Sequence, residues 1–215
     1  MKRSREILER LPLFPLTGVF LFPGVVTPLH IFERRYVDMT EDALEGDGLI
    51  AVGTPDRETA PLEEGKPAIR RIAGVGEISK YERLPDGRYN IWLAAVGRAE
   101  IEEELDTTSR YRVVRARWVP SVSGDPREAG LAEEVRKLIR ALISSGDNAL
   151  NPLSVLIDSQ VDSLLMSDAL PSLLLGASDQ QQQMLEELSA VARLEYCIEA
   201  LKVRLLQLTD RSSPN

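Results

Sequence analysis

Residues 11–36 read LPLFPLTGVFLFPGVVTPLHIFERRY. The stretch is strongly apolar, yet Pro12, Pro15, Pro23 and Pro28 interrupt it. Proline lacks a backbone donor and fixes φ, so no membrane-spanning helix runs through this segment. The pattern predicts short extended pieces joined by bends. Pro23-Gly24 supplies a turn between Phe20-Leu21-Phe22 and the following Val25-Val26-Thr27-Pro28-Leu29. From His30 the chemistry changes, and His30-Ile31-Phe32-Glu33-Arg34-Arg35-Tyr36 opens an amphipathic run suited to a helix.

Working outward, residues 1–10 are polar and read as a mobile start. Residues 31–45 read as a short helix with Ile31, Tyr36 and Met39 near one face, and residues 49–53 as a short buried strand. Residues 54–67 carry three prolines, several charges and Gly65, the composition of a long loop. Strands are expected in residues 69–84, 89–96, 99–105 and 110–119, with Pro85-Asp86-Gly87 as a hairpin turn. After Pro120 the character shifts. Residues 121–130 have linker chemistry. Residues 131–145 place Leu131, Val135, Leu138, Ile139, Leu142 and Ile143 at helical spacing, with Gly146 as a C-terminal cap. Residues 152–175 are leucine-rich and read as broken at Pro171. From Met184 onward the apolar positions step by threes and fours, which predicts one long helix or two across residues 179–209, with Ser189 as the interrupting N-cap. The fold class is α+β, with a β-rich domain at residues 1–120 and a helical domain at residues 121–215.

The opening stretch closely resembles the start of the Lon N-terminal domain family, whose pattern is roughly LPLFPL, a short gap, LFPG, then PLHIFE and RY. A second block agrees in the same order. It comprises Gly74-Val75-Gly76-Glu77-Ile78, then Leu84-Pro85-Asp86-Gly87-Arg88-Tyr89-Asn90-Ile91, then Val96-Gly97-Arg98-Ala99-Glu100-Ile101. The family usually has an aromatic residue where this chain has Ala99. The resemblance extends more loosely through the C-terminal helices. It implies a PUA-like β-pseudobarrel followed by a small helical bundle. It also implies a stand-alone relative of the substrate-recognition domain of Lon protease, without that protein's ATPase and protease modules.

Composition narrows the function. The net charge is −8, from 26 Lys and Arg against 34 Asp and Glu, which disfavours a dedicated nucleic-acid binder. Residues 121–215 carry most of that excess. A single cysteine, Cys197, allows no internal disulfide and suits a reducing compartment, so a cytoplasmic location is expected. The basic start lacks a clean apolar core and cleavage site, so it is not read as a signal peptide. No phosphate-cradling G-x-x-x-x-G-K-[ST] loop occurs in the sequence, and none of Lys2, Lys66, Lys80, Lys137 and Lys202 lies in a stretch resembling the family's protease dyad. His30 and Cys197 are far apart and no carboxylates show ligand spacing, so no metal, cofactor or catalytic residue is expected. His30 reads as a packed histidine at the strand-to-helix turn, and Cys197 as a buried thiol.

The expected activity is therefore recognition of other proteins. All four phenylalanines fall in residues 14–32, and Phe20 and Phe22, placed at an exposed rim, would form an apolar contact patch. Leu173 and Leu174, in the run at residues 170–176, are a second candidate. Arg115 and Arg117 are candidates for a polar rim that orients the partner. The first expectation is a non-enzymatic module that binds unfolded or damaged polypeptides, or one partner protein, through a surface between the β-domain and the helices. A second is an RNA or nucleotide binder using the Arg110–Arg117 face, whose simpler reading is a strand face paired with the acidic run Glu100 to Asp106. A third is a scaffold that associates through the final heptad seam. A monomer or weak homodimer that does not engage membranes is expected.

Overall fold

The computed structural model describes residues 7–56, 66–154, 157, 161–176 and 178–212. The chain divides into two compact units, Met1–Pro120 and Ser121–Asn215. The first is a mixed sheet with one helix: β1 (Ile7–Pro15), β2 (Val26–Ile31), α1 (Arg34–Glu45), β3 (Leu49–Gly53), β4 (Ile72–Arg83), β5 (Tyr89–Glu104) and β6 (Arg112–Val119). The second is helical: α2 (Glu128–Ser144), a 3-10 turn (Asn148–Leu153), α3 (Ser163–Leu174), α4 (Ser178–Glu186) and α5 (Ala190–Ser212). The α+β expectation holds.

The sheet order is β2-β5-β4-β3-β1-β6, and β6 also pairs with β5. Five strands therefore close on themselves, with β2 added alongside β5. The long β5 makes this possible. It pairs with β2 along residues 89–94, with β4 along residues 89–100 and with β6 along residues 98–104, with register shifts at Val96 against β4 and between Ile101 and Glu103 against β6. One continuous strand thus replaces the two expected at residues 89–96 and 99–105. Its register shifts let the strand bend without ending, as bulges do. The closed part is filled by small side chains, Ala51, Ala73, Ala99 and Ala116, around Leu11, Leu13, Val114 and Trp118. A second apolar layer, including Phe14, Leu21, Ile31, Tyr36 and Met39, packs around α1.

Pro23-Gly24 forms the expected turn. Val25 N–H donates to the Phe22 carbonyl at 3.1 Å. Gly24 has φ +86°, which proline ahead of it and glycine at that position accommodate together. The segment before the turn lies against β4. A methyl group added to Gly74 would sit 2.4 Å from the Leu21 carbonyl oxygen, and one added to Gly76 would sit 3.0 Å from Leu21 Cδ1. Leu21 thus seats in a hollow that two glycines leave in β4, its backbone over Gly74 and its side chain over Gly76. The two sequence blocks that carry the family resemblance meet at this contact. Gly74→Ala should cost ~1–3 kcal/mol, because backbone rather than a flexible side chain must move. An unchanged thermal midpoint would contradict this seating.

Other expectations shift. Ile7 to Arg10 joins β1, and residues 1–6 lie outside the described residues. Ile31 ends β2, and the helix starts at Arg34. The expected loop at 54–67 lies partly outside the described residues. Its flanks are tied by Asp56 N–H to the Ala68 carbonyl at 2.7 Å and Arg70 N–H to the Thr54 carbonyl at 2.9 Å. Helix α2 begins at Glu128, inside the expected linker. The Glu128 carboxylate folds back to accept from the N–H groups of Gly124 and Asp125 at 2.7 and 3.1 Å. Past its end, Gly146 and Asp147 N–H donate to Ile143 and Leu142 carbonyls, closing the helix near the expected cap.

Pro171 does not break α3, which continues to Leu174. A proline at that position removes the hydrogen bond to the carbonyl four residues earlier, that of Ser167. The Arg193 side chain on α5 supplies the missing donor, with Nε 3.2 Å from the Ser167 oxygen. Ser189 caps α5 as expected, its hydroxyl accepting from Ala192 N–H at 3.2 Å, so residues 179–209 hold two helices. The helical core gathers Val135, Ile139, Leu142, Leu170, Leu194, Cys197, Ile198 and Leu201. Among the described residues, no helix is long and apolar enough to cross a membrane.

Candidate functional site

The apolar side chains at residues 20–22 face inward. Phe20 is 7% exposed, while Leu21 and Phe22 are fully buried. The expectation of an exposed rim at Phe20 and Phe22 is therefore corrected. Once Leu21 seats in the Gly74 hollow, its neighbours are held beneath the surface with it. The exposed phenylalanine is Phe32, at 63%. Leu173 is 46% exposed near the end of α3, whereas Leu174 packs partly against the helical core.

Arg115 and Arg117 lie on β6 opposite the acidic end of β5. Arg117 pairs with Glu102 and Glu100, and Arg115 with Glu102 and Glu103 at 3.4 and 3.3 Å. Arg112 forks onto Glu104, and Arg110 lies 3.8 Å from Asp38. Cross-strand ion pairs with the acidic run thus occupy Arg112, Arg115 and Arg117, as the simpler reading of this face expects, while Arg110 faces α1 instead.

Exposed apolar surface appears instead on the outer face of β2, β5 and β4. Strand pairing sets three rows across these strands: Val26–Ala94–Glu77, Pro28–Trp92–Lys80 and His30–Asn90–Glu82. Phe32 follows His30 at the same alternation. Its ring stacks on His30, with centroids 6.1 Å apart and planes 24° from parallel. Val26 is 53% exposed. The Lys80 ammonium stands 4.7 Å over the Trp92 ring, where its charge meets the ring's negative face. Pro28 lies on an edge strand, the position in a sheet that tolerates a missing donor.

Polar groups fix this face at one end. His30 Nδ1 is 2.8 Å from Asn90 Oδ1, Asn90 Nδ2 donates to Glu82 at 3.2 Å, and Arg88 reaches His30 Nε2 at 3.3 Å. Arginine only donates, so His30 Nε2 accepts and Nδ1 carries the proton given to Asn90. His30 is thus exposed and hydrogen-bonded rather than packed, which corrects the expectation for it. Period-two alternation in Val26-Thr27-Pro28-Leu29-His30-Ile31-Phe32 is the signal that would have found this face. It sends Leu29 and Ile31 inward and the other apolar residues out.

Two clefts open on the same unit. One, of about 730 Å³, lies between the start of β1 and the end of α1, with Leu8, Leu11, Leu49, Asp47, Glu77 and Trp118 among its walls. The other, of about 750 Å³, lies between the start of α1 and the β5–β6 connection, where Arg35 and Arg112 are committed to Glu33 and Glu104.

Among the described residues no group of three or more His, Cys, Asp or Glu side chains could hold a metal ion. Burial pushes the Cys197 thiol up to about 12, with nearby Arg193 opposing weakly, so it stays protonated and unreactive at neutral pH.

A family model described as the ATP-dependent protease La (LON) substrate-binding domain matches residues 10–203. The Lon protease of Heliobacterium modesticaldum is 28% identical over 217 residues, covering 96% of this chain and 26% of the relative. The Lon protease of Aquifex aeolicus is 27% identical over 96% of this chain and 26% of the relative. The chain thus spans about a quarter of the length of the curated relatives it matches. Two solved structures share the fold. The N-terminal domain of Mycobacterium avium complex Lon protease superposes with a TM-score of 0.70 at 16% identity, covering 90% of this chain and 98% of that one. A Lon N-terminal domain protein from Xanthomonas campestris gives 0.62 at 22% identity, covering 89% and 98%.

Proposed function

The chain belongs to the family of LON substrate-binding domains, and from that premise we propose that it is a non-catalytic module that recognises unfolded polypeptide segments. The observation that carries the reading is the apolar outer face of β2 and β5. There Val26, Pro28 and Trp92 stand on the strands and Phe32 just past β2, while Ile31, Ile91 and Leu93 on the other side are buried. Apolar rings held on a rigid sheet bury area on contact without first having to be ordered. A flat face with few directional groups accepts many sequences, so each contact is weak.

Nothing in this reading requires chemistry on the bound chain. The cations that would suit a nucleic acid are spent on the carboxylates of β5.

In fluorescence anisotropy with a labelled, permanently unfolded polypeptide, Phe32→Ser should weaken binding by about tenfold. Because Phe32 is mostly exposed, the circular dichroism spectrum should stay unchanged. Undiminished affinity in a folded Phe32→Ser protein would remove the outer face from the account.

A further inference from the structure

We propose that the groove between the start of β1 and the end of α1 docks an extended polypeptide segment carrying lysine or arginine among apolar residues. The inference deepens the recognition reading above and rests on it for the class of partner.

The groove floor is apolar, formed by Leu8, Leu11, Leu49 and Trp118. Its rim is acidic: Glu9, Asp42, Asp47 and Glu77 stand against the single cation Arg10. These carboxylates stand together without a counter-charge. Elsewhere on this unit Glu33, Asp86, Glu100, Glu102 and Glu104 each have an arginine close enough for an ion pair. Among the described residues none of the four groove carboxylates has one. Asp42 accepts a hydrogen bond from the Tyr111 hydroxyl at 2.6 Å, which leaves its charge in place. Among the described residues, four carboxylates without an ion pair thus line one apolar cleft.

Two backbone features add to this. Helix α1 ends in the groove with no basic residue in its last turn, so the negative end of its dipole has the same sign as the rim. Strand β1 pairs with β3 only from Leu13 onward, while its earlier residues pair only with β6. Among the described residues, Ile7 to Pro12 thus keeps one edge unpaired beside the groove. The register shift between Leu8 and Leu11 interrupts the ladder where the exposed Glu9 and Arg10 stand. An open edge suits an extended partner, and the uncompensated negative rim suits a cationic one. Glu77 belongs both to this groove and to the row that holds Val26, so one extended segment can meet the groove and the apolar outer face together.

The test uses three labelled short peptides in anisotropy titrations against the whole chain. Their leucines alternate with arginine, with glutamine or with glutamate. The arginine peptide should bind about tenfold more tightly than the glutamine peptide at low salt, with the glutamate peptide weakest, and moderate salt should narrow the gap. A variant carrying Asp47→Asn and Glu77→Gln should lose much of that preference and keep its affinity for the glutamine peptide. Both residues are exposed, so folding is not at stake. A variant carrying Glu195→Gln and Glu199→Gln on α5 makes the same change in net charge and should keep the preference. Equal binding of the arginine and glutamine peptides, or equal loss of preference in the two variants, would overturn this inference alone. Failure of all three peptides to bind would overturn the recognition reading with it.

Discussion

Arg193→Met should lower the free energy of unfolding by about 3–5 kcal/mol, measured by urea titration with far-UV circular dichroism. Arg193 is fully buried. Its Nη2 lies 2.8 Å from Asp168 Oδ1 and 2.9 Å from the Ser167 hydroxyl, and its Nη1 donates to the Glu187 carbonyl at 2.6 Å. Its Nε serves the Ser167 carbonyl that Pro171 leaves without a helical donor. Methionine fills much of the same space. It removes the counter-charge of the buried Asp168 carboxylate and the side-chain donors to two carbonyls, and the uncompensated buried charge is the costly part. The second arm follows from that cause. Adding Asp168→Leu to Arg193→Met should recover part of the loss, because it removes the stranded charge. A loss below about 1 kcal/mol for the single variant would show that the network contributes little.

Phe22→Ala should cost about 3–5 kcal/mol, the range for deleting a fully buried aromatic side chain. Phe22 is 0% exposed, so truncation leaves a cavity beside the turn that connects the Leu21 seat to β2. At temperatures where the variant remains folded, its affinity for unfolded polypeptide should match that of the unaltered protein. The pairing of outcomes separates Phe22 from Phe32: the first change destabilises without altering recognition, and the second does the reverse. A Phe22→Ala protein that keeps its thermal midpoint and loses binding would restore Phe22 to the surface.

Much of the local structure was legible because its causes are local. Pro23-Gly24 makes its turn from two adjacent residues, and Pro85-Asp86-Gly87 forms the connection of the β4–β5 hairpin, with Gly87 N–H donating to the Leu84 carbonyl at 2.9 Å. The spacing of Val135, Ile139 and Leu142 gave the buried stripe of α2, and Ser189 gave the start of α5. The misread positions depend on residues distant in sequence. Phe20 and Phe22 are buried because Gly74 and Gly76 admit Leu21, a relation that no window around Phe20 contains. Pro171 stays within its helix because Arg193, on a different helix, replaces the lost donor. The outer face is written in the alternation of β2, but the denser apolar run before the turn carries the stronger sequence signal. The groove was not within reach. Glu9, Asp42, Asp47 and Glu77 come from β1, from α1 and its exit, and from β4, and no spacing joins them.

The recognition we propose is of unfolded polypeptide by apolar contact. The direct measurement is an anisotropy titration of the whole chain against one labelled protein in two states, folded and permanently unfolded, at low and moderate salt. Saturable binding of the unfolded state that persists at moderate salt, with none to the folded state, is the predicted result. Equal binding of both states, or binding to the unfolded state that vanishes at moderate salt, would contradict it.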